Sequence, residues 1–432
     1  MKRALLNVTA LILILSIGQV TAYPLDGYPE TGITRVEGAR LAHEGIIKDN
    51  IRQPPGALLP TTKVDIRLRD MSDFKLPPID PELTGQIEEL LGEQADRYGV
   101  TVLDLSDLKN IRYAEWRGDY KQNVGSVGKL VVALGFFQAL KDAYPNDASG
   151  VERAAVLKNT MVTADAFSQS DHHTIRVFNP ETRILDRQPM KVGGLANQWQ
   201  YLDWMLSVSS NAAASMNQRQ GMLLRQFGTD FPIADTEVES FFKQTPSKDL
   251  TALYKRTFWE PIGRNGLDIS QLRQGSFFTA NGKHKVNGGG NSYATARQLM
   301  EYVLKMEKGE LVDDWSSTQI KRLIYLTERR IRYAASAALK DSAVYFKSGS
   351  WYGCKKEEGF KCGKYKGNVR NYMNSVAIIE SPEEENNLFY IVVVISNVLR
   401  KNSAFEHLLL ATNIHQLMKI AHPVIKGKLE SE

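Results

Sequence analysis

Ser126 and Lys129 stand one helical turn apart at the head of Ser126-Val127-Gly128-Lys129-Leu130-Val131-Val132-Ala133-Leu134-Gly135-Phe136-Phe137-Gln138-Ala139-Leu140, a run apolar around nearly its whole circumference. Such a run reads as a buried helix. Residues three apart share a helix face, and the first turn adds unpaired N–H groups and a positive dipole end. A hydroxyl placed there beside an amine has a nucleophile and its base in one turn. The same pair also reads as a helix-capping serine and a lysine snorkelling to solvent, and the local sequence does not separate the two. Two later motifs do: Ser209-Ser210-Asn211 and Lys347-Ser348-Gly349. The former lies between an apolar helix end, Trp204-Met205-Leu206, and the small-residue run Ala212-Ala213-Ala214-Ser215, where a plain helix cap is the local alternative. The latter follows the strand-like Val344-Tyr345-Phe346.

In this order the three motifs resemble the S-x-x-K, S-D-N and K-T-G signature of serine β-lactamases and penicillin-binding proteins, closest to class A β-lactamase-like hydrolases, with Ser210 replacing Asp and Ser348 replacing Thr. The resemblance covers roughly residues 83 to 422. It implies an α/β fold, an antiparallel five-stranded sheet flanked by helices with a separate helical lobe, and acyl-enzyme chemistry. Ser126 would attack and Lys129 would act as its base. Ser209 would pass the proton to the leaving nitrogen, while Asn211 would hold Lys129 and the substrate amide. Lys347, Ser348 and Gly349 would bind the substrate carboxylate, and the N–H groups of Ser126 and Ser350 would form the oxyanion hole. To serve near neutral pH, Lys129 needs a pKa about 3 units below that of a free lysine, which burial and the nearby charge of Lys347 favour.

Hydrolysis of the acyl-enzyme needs a further base. Class A β-lactamases carry it as glutamate in E-x-x-L-N. The nearest match here is Trp259-Glu260-Pro261-Ile262-Gly263-Arg264-Asn265, one residue too long and without the Leu, so Glu260 is the candidate. The implied function is an exported serine hydrolase of a β-lactam or related amide, acting on a small-molecule or peptidoglycan-derived substrate without a cofactor. A D,D-peptidase or other cell-wall amidase or esterase is the alternative, and a catalytically silent wall-binding protein a further one.

The elements around these motifs follow from local pattern. Leu83 to Leu91 has helical spacing, and Gly99–Leu105 with Ile111–Trp116 reads as a strand hairpin leading toward Ser126. Val376–Ile379 and Leu388–Ile395, separated by Ser381-Pro382-Glu383-Glu384, are strands after Lys347. Ser403-Ala404-Phe405-Glu406 reads as a capping box opening a last helix that ends before Pro423. Residues 23–82 are proline-rich without apolar periodicity, an arm or linker ahead of a hydrolase domain spanning 83–425.

Met1-Lys2-Arg3, an apolar stretch to Gly18 and Val20-Thr21-Ala22 read as a cleavable signal over residues 1–22, directing the chain to the periplasm or outside the cell. The stretch is short for a membrane span. Its removal takes the formal charge from +5 to +3, too mild, without a Lys/Arg-rich run, to indicate nucleic acid. Cys354 and Cys362, the two cysteines, lie eight apart; in an exported chain they are expected to pair, worth about 2.5 kcal/mol. Asp171-His172-His173 offers metal-ligand types, but adjacent histidines point different ways on regular backbone and no third ligand is spaced to join them, so no metal is expected. His407 and His415 sit among apolar residues as structural histidines.

Overall fold

A computed structural model describes residues 26–48, 53–60, 63–328, 330–382 and 387–423. The expected signal segment, residues 1–22, lies outside them. Among the described residues no helix is long and apolar enough to cross a membrane.

Five strands form one antiparallel sheet: β1 (Tyr98–Asp104), β2 (Arg112–Trp116), β3 (Ala343–Gly353), β4 (Arg370–Glu380) and β5 (Phe389–Asn397), in the order β3-β4-β5-β1-β2. β5 is central and reads Phe-Tyr-Ile-Val-Val-Val-Ile because both of its faces are covered. Tyr390, Val392 and Val394 belong to the core on one face of the sheet; Ile391, Val393 and Ile395 belong to the core on the other. The first face is covered by two helices distant in sequence, α1 (Pro81–Leu91) and one that closes the chain. Leu83, Ile87 and Leu91 of α1, each four residues on, are its buried stripe, and Asp80 caps it by accepting from the Leu83 N–H.

The opposite face packs against α2 (Lys129–Ala143) and the helices that follow it: α3 (Gln198–Leu206), α4 (Asn211–Phe227), α5 (Ala296–Glu307) and α6 (Asp314–Tyr325). The closing helix is α7 (Ser403–Ala421). Its cap differs from the expected capping box. Asn402, not Ser403, is the N-cap, with its side-chain oxygen accepting from the Ala404 and Phe405 N–H groups. His407 and His415 are buried, as expected. His407 is held between Ser375 and Ser396, His415 against Tyr390, and burial lowers their pKa values to about 3 and about 4.

The described part of the proline-rich segment packs against the rest of the chain. Gly56 sits so tightly on the backbone of Ser342 that a Cβ would fall 2.0 Å from its carbonyl oxygen. Val64 and Leu68 are fully buried near α5 and α6, where Lys321 and Glu307 pair with no solvent exposure and Lys321 also donates to the Asp65 carbonyl. Farther forward, Arg35 is inserted against Asp203 of α3.

Candidate functional site

α2 is the pivot of the molecule: every residue from Lys129 to Leu140 is buried, as its uniformly apolar sequence demands. Ser126 does not open this helix directly. It lies in a 3-10 turn, Gly125–Gly128, that runs into α2 at Lys129. The turn starts with Gly125 at φ +53°, and its N–H is taken by the Asn123 side chain. β3 passes edge-on across it. A Cβ on Gly349 would stand 2.1 Å from the Val124 carbonyl oxygen and 2.6 Å from the Ser126 nitrogen; one on Gly125 would lie 3.0 Å from the Ser350 nitrogen. Only glycines permit strand and turn to approach this closely, and the approach brings the backbones of Ser126 and Ser350 side by side. Gly349→Ala, with backbone on every side and nothing flexible to yield, is expected to cost about 1–3 kcal/mol by overpacking. Urea unfolding against the wild-type chain reads that loss, and circular dichroism should still report a folded chain.

Lys129 is completely buried. Its Nζ lies 2.9 Å from Ser126 Oγ, 2.6 Å from the Ser209 carbonyl oxygen and 2.8 Å from Asn211 Oδ1. The last two accept only and can take the two N–H bonds of a neutral amine, which leaves its lone pair for a hydroxyl, Ser126 Oγ being nearer than Ser209 Oγ at 3.2 Å. The pKa agrees with that count. Burial, partly offset by the Asp171 carboxylate and reinforced by the Arg332 charge, lowers it to about 7. Burial also lowers Lys347 well below its ordinary value, with the charges of Lys129 and Arg332 adding to the effect.

Ser209 sits between the two lysines because its backbone is left-handed, φ +64°. That conformation disfavours a non-glycine residue and here turns carbonyl and hydroxyl toward the same space. The carbonyl meets Lys129, and Oγ takes a 2.8 Å hydrogen bond from Lys347. Ser210, the departure from Asp, caps α4 by accepting from the Ala213 N–H and donates to Asp171. The capping role foreseen for this motif therefore falls to Ser210, while Ser209 and Asn211 face Lys129.

Ser126, Ser209, Asn211, Ser348, Gly349 and Ser350 line one cavity of about 900 Å³. Arg332, which the motifs did not single out, shares it. Arg332, left-handed at φ +56°, donates to Ser348 Oγ, Ser350 Oγ and the Tyr365 hydroxyl. No carboxylate pairs with it among the described residues, and its buried Nε has no partner. The sequence signal available was the basic stretch Arg330-Ile331-Arg332 ahead of β3, which carries no motif. Beyond Ser350, β3 continues to the exposed Trp351 and Tyr352 and to a loop closed by the disulfide Cys354–Cys362, as expected from the cysteine spacing.

Glu260 is not brought to Ser126. It is exposed at the start of the short helix Glu260–Arg264, outside the cavity. The surrounding segment follows the far part of α2: Gly135 touches Phe258, Asn265 donates to Gln138 and Arg264 pairs with Asp142. Those contacts lie about 9–20 Å along the axis from Lys129. The extra residue and the missing Leu in the motif correspond to a segment engaged elsewhere. The polar side chain this loop does bring to the helix start is Gln274, buried against Gly128, with Nε2 donating to the Ser276 carbonyl. An amide there takes no proton from water.

Asp171, His172 and His173 do cluster, contrary to the expectation that the two histidines diverge: their rings lie 4.2 Å apart, tilted by 32°. Asp171 is already engaged, accepting from Ser210 Oγ, the Ala212 N–H and His173 Nδ1.

No protein-family model matches the chain, and no curated protein matches it. Among solved structures it is similar to PBP-A (14% identity, 80% of this chain and 100% of that chain, TM-score 0.47). It is similar also to a mutant of PBP-A solved as its acyl-enzyme complex with penicillin G (13% identity, 80% and 100%, TM-score 0.49) and to a β-lactamase from Chitinophaga pinensis (11% identity, 78% and 98%, TM-score 0.43).

Proposed function

We propose that this chain is a serine acyl-hydrolase that forms an acyl-enzyme at Ser126 from a β-lactam or a related amide or ester. The observation that carries the reading is the buried amine of Lys129, its pKa lowered to about 7, at 2.9 Å from Ser126 Oγ, with the Ser209 carbonyl and Asn211 Oδ1 as acceptors for its N–H bonds. A hydroxyl is a weak nucleophile until a base takes its proton, and this arrangement offers one. In this reading Ser126 Oγ bonds to the carbonyl carbon as its proton moves to Lys129. The oxyanion is received by the Ser126 and Ser350 N–H groups. Ser209 Oγ, bridging Lys129 and Lys347, delivers the proton to the leaving nitrogen as the C–N bond breaks. Asn211 holds Lys129 and the substrate amide. Lys347, Ser348 and Arg332 receive an anionic group of the substrate, since Arg332 has only neutral partners to give up.

The alternative within the same chemistry is a D,D-peptidase or wall amidase or esterase, and the exposed placement of Glu260 favours a slow fate for the adduct over rapid class A hydrolysis. Export, with removal of residues 1–22, a periplasmic location and a domain spanning 83–425 complete the proposal. Incubation with a fluorescent penicillin followed by peptide mass spectrometry tests it. The expected result is one acyl group on Ser126 and none in Ser126→Ala; equal labelling of that variant would dispose of the mechanism.

A further inference from the structure

Turnover of the adduct needs a group that can take a proton from water, and neither Glu260 nor Gln274 supplies one. The wall of the cavity on the Ser209–Asn211 side does. His173 lines the same cavity as Ser126, Ser209 and Asn211, and a quarter of its side chain is exposed there. Its Nδ1 lies 2.6 Å from Asp171 Oδ1. Asp171 is fixed in turn by the Ser210 hydroxyl and the Ala212 N–H at the head of α4, the same turn that places Ser209 and Asn211. A carboxylate only accepts, so Nδ1 carries the hydrogen and the neutral ring keeps a lone pair on Nε2. Nε2 makes no hydrogen bond to another described residue.

We propose that the Asp171–His173 pair is the deacylating base of this site, activating the water that hydrolyses the Ser126 ester. The inference rests on the acyl-enzyme reading above. For a substrate whose amine departs, the vacated leaving-group space beside Ser209 is where water enters. The water oxygen bonds to the acyl carbon while one of its protons passes to His173 Nε2. As the carbon–Oγ bond breaks, that proton returns to Ser126 Oγ, and the carboxylic acid leaves with the second water hydrogen. Asp171 keeps the tautomer and steadies the imidazolium in between. Asp171 and His172 beside His173 and Lys129 from α2 act on it most, with Arg187 and Glu328 lining the same cavity; burial outweighs the carboxylate and favours the neutral ring.

The test follows the Ser126 adduct in time by mass spectrometry after a pulse of an activated acyl ester, whose leaving group departs and vacates the space beside Ser209, in the wild-type chain, His173→Gln and, as neighbour control, His172→Gln. His173→Gln should acylate within about twofold of wild type and lose its acyl group on the order of 10²-fold more slowly. Its deacylation should no longer rise with pH through the imidazole range, and added imidazole should restore part of the rate. His172→Gln should leave both rates unchanged. Equal slowing of both steps in His173→Gln would make the pair a structural brace for the Ser209 turn and overturn the proposal. Undiminished deacylation, or a wild-type adduct that already persists for hours, overturns it while leaving the acyl-enzyme reading intact. No adduct on wild-type Ser126 removes both.

Discussion

Lys129→Ala should slow acylation of Ser126 by a factor on the order of 10² to 10⁴ without unfolding the chain. The loss has two parts. The Ser126 hydroxyl forfeits the nearest lone pair able to take its proton, and Ser209 and Asn211 lose the hub that draws their oxygens together. Stability should fall by about 1–3 kcal/mol, because the Ser209 carbonyl and Asn211 Oδ1 lose their buried donor, a loss partly offset by the desolvation cost of the amine itself. Wild-type acylation should also depend on pH with a definite sign. The amine is the base only when neutral, so the rate rises as pH increases through about 7 and levels above it. Stopped-flow labelling between pH 5 and 9 reads the midpoint. A flat profile together with an active Lys129→Ala would assign the base elsewhere, with Lys347, whose Nζ also contacts Ser209 Oγ, the next amine to replace.

How much of this was legible beforehand differs between backbone and side chain. The central strands and α1 were readable because burial on both faces, or on one helical stripe, leaves a direct trace in residue type: β5 is apolar without interruption, and α1 is apolar every fourth residue. The nucleophile and its lysine were readable because i,i+3 geometry is local. Ser209 and Lys347 were found by motif, and the structure joins them through contacts spanning 138 residues that no local pattern encodes. Glu260 shows the converse. Its Trp-Glu-Pro context mimics a catalytic loop, whereas the one-residue excess before Asn265 accompanies a segment tied to Gln138 and Asp142. Arg332 and Asp171 escaped because their meaning is entirely in their partners. An arginine in a basic stretch and a carboxylate before two histidines are ordinary surface residues until a strand hydroxyl or a helix N-terminus meets them.

The same reasoning makes Arg35→Ala the substitution with the largest expected effect on stability. Residues 23–82 read in sequence as an arm or linker, rich in proline and poor in periodicity, and a charged residue in such a segment is usually dispensable. Arg35 is not in a linker environment. Only 5% of its side chain is exposed, that of Asp203 is wholly buried, and the guanidinium bonds Asp203 through two nitrogens while a terminal nitrogen reaches the Leu326 carbonyl at 2.7 Å. Truncating it leaves an uncompensated carboxylate inside the helical lobe, a loss of about 3–5 kcal/mol. The exposed pair Arg69–Asp65, with both side chains roughly half in solvent, should contribute no more than about 1 kcal/mol when Arg69 is removed. Urea unfolding of the two variants compares them directly, and equal midpoints would mean that the arm is not part of the cooperative unit. Two further variants separate charge burial from packing: Asp203→Asn should be less damaging than Arg35→Ala, and combining Arg35→Leu with Asp203→Leu should recover much of the loss. The effect should reach the cavity too. Asp203 lies on α3, whose end is tied by the Ser207 N–H to the Asp203 carbonyl just before the Ser209 turn, and Leu326 begins the stretch that leads to Arg332. Arg35 thus joins two segments that lead to the cavity, and if the proposed acylation holds, Arg35→Ala should lose penicillin labelling at urea concentrations well below those that unfold the wild-type chain.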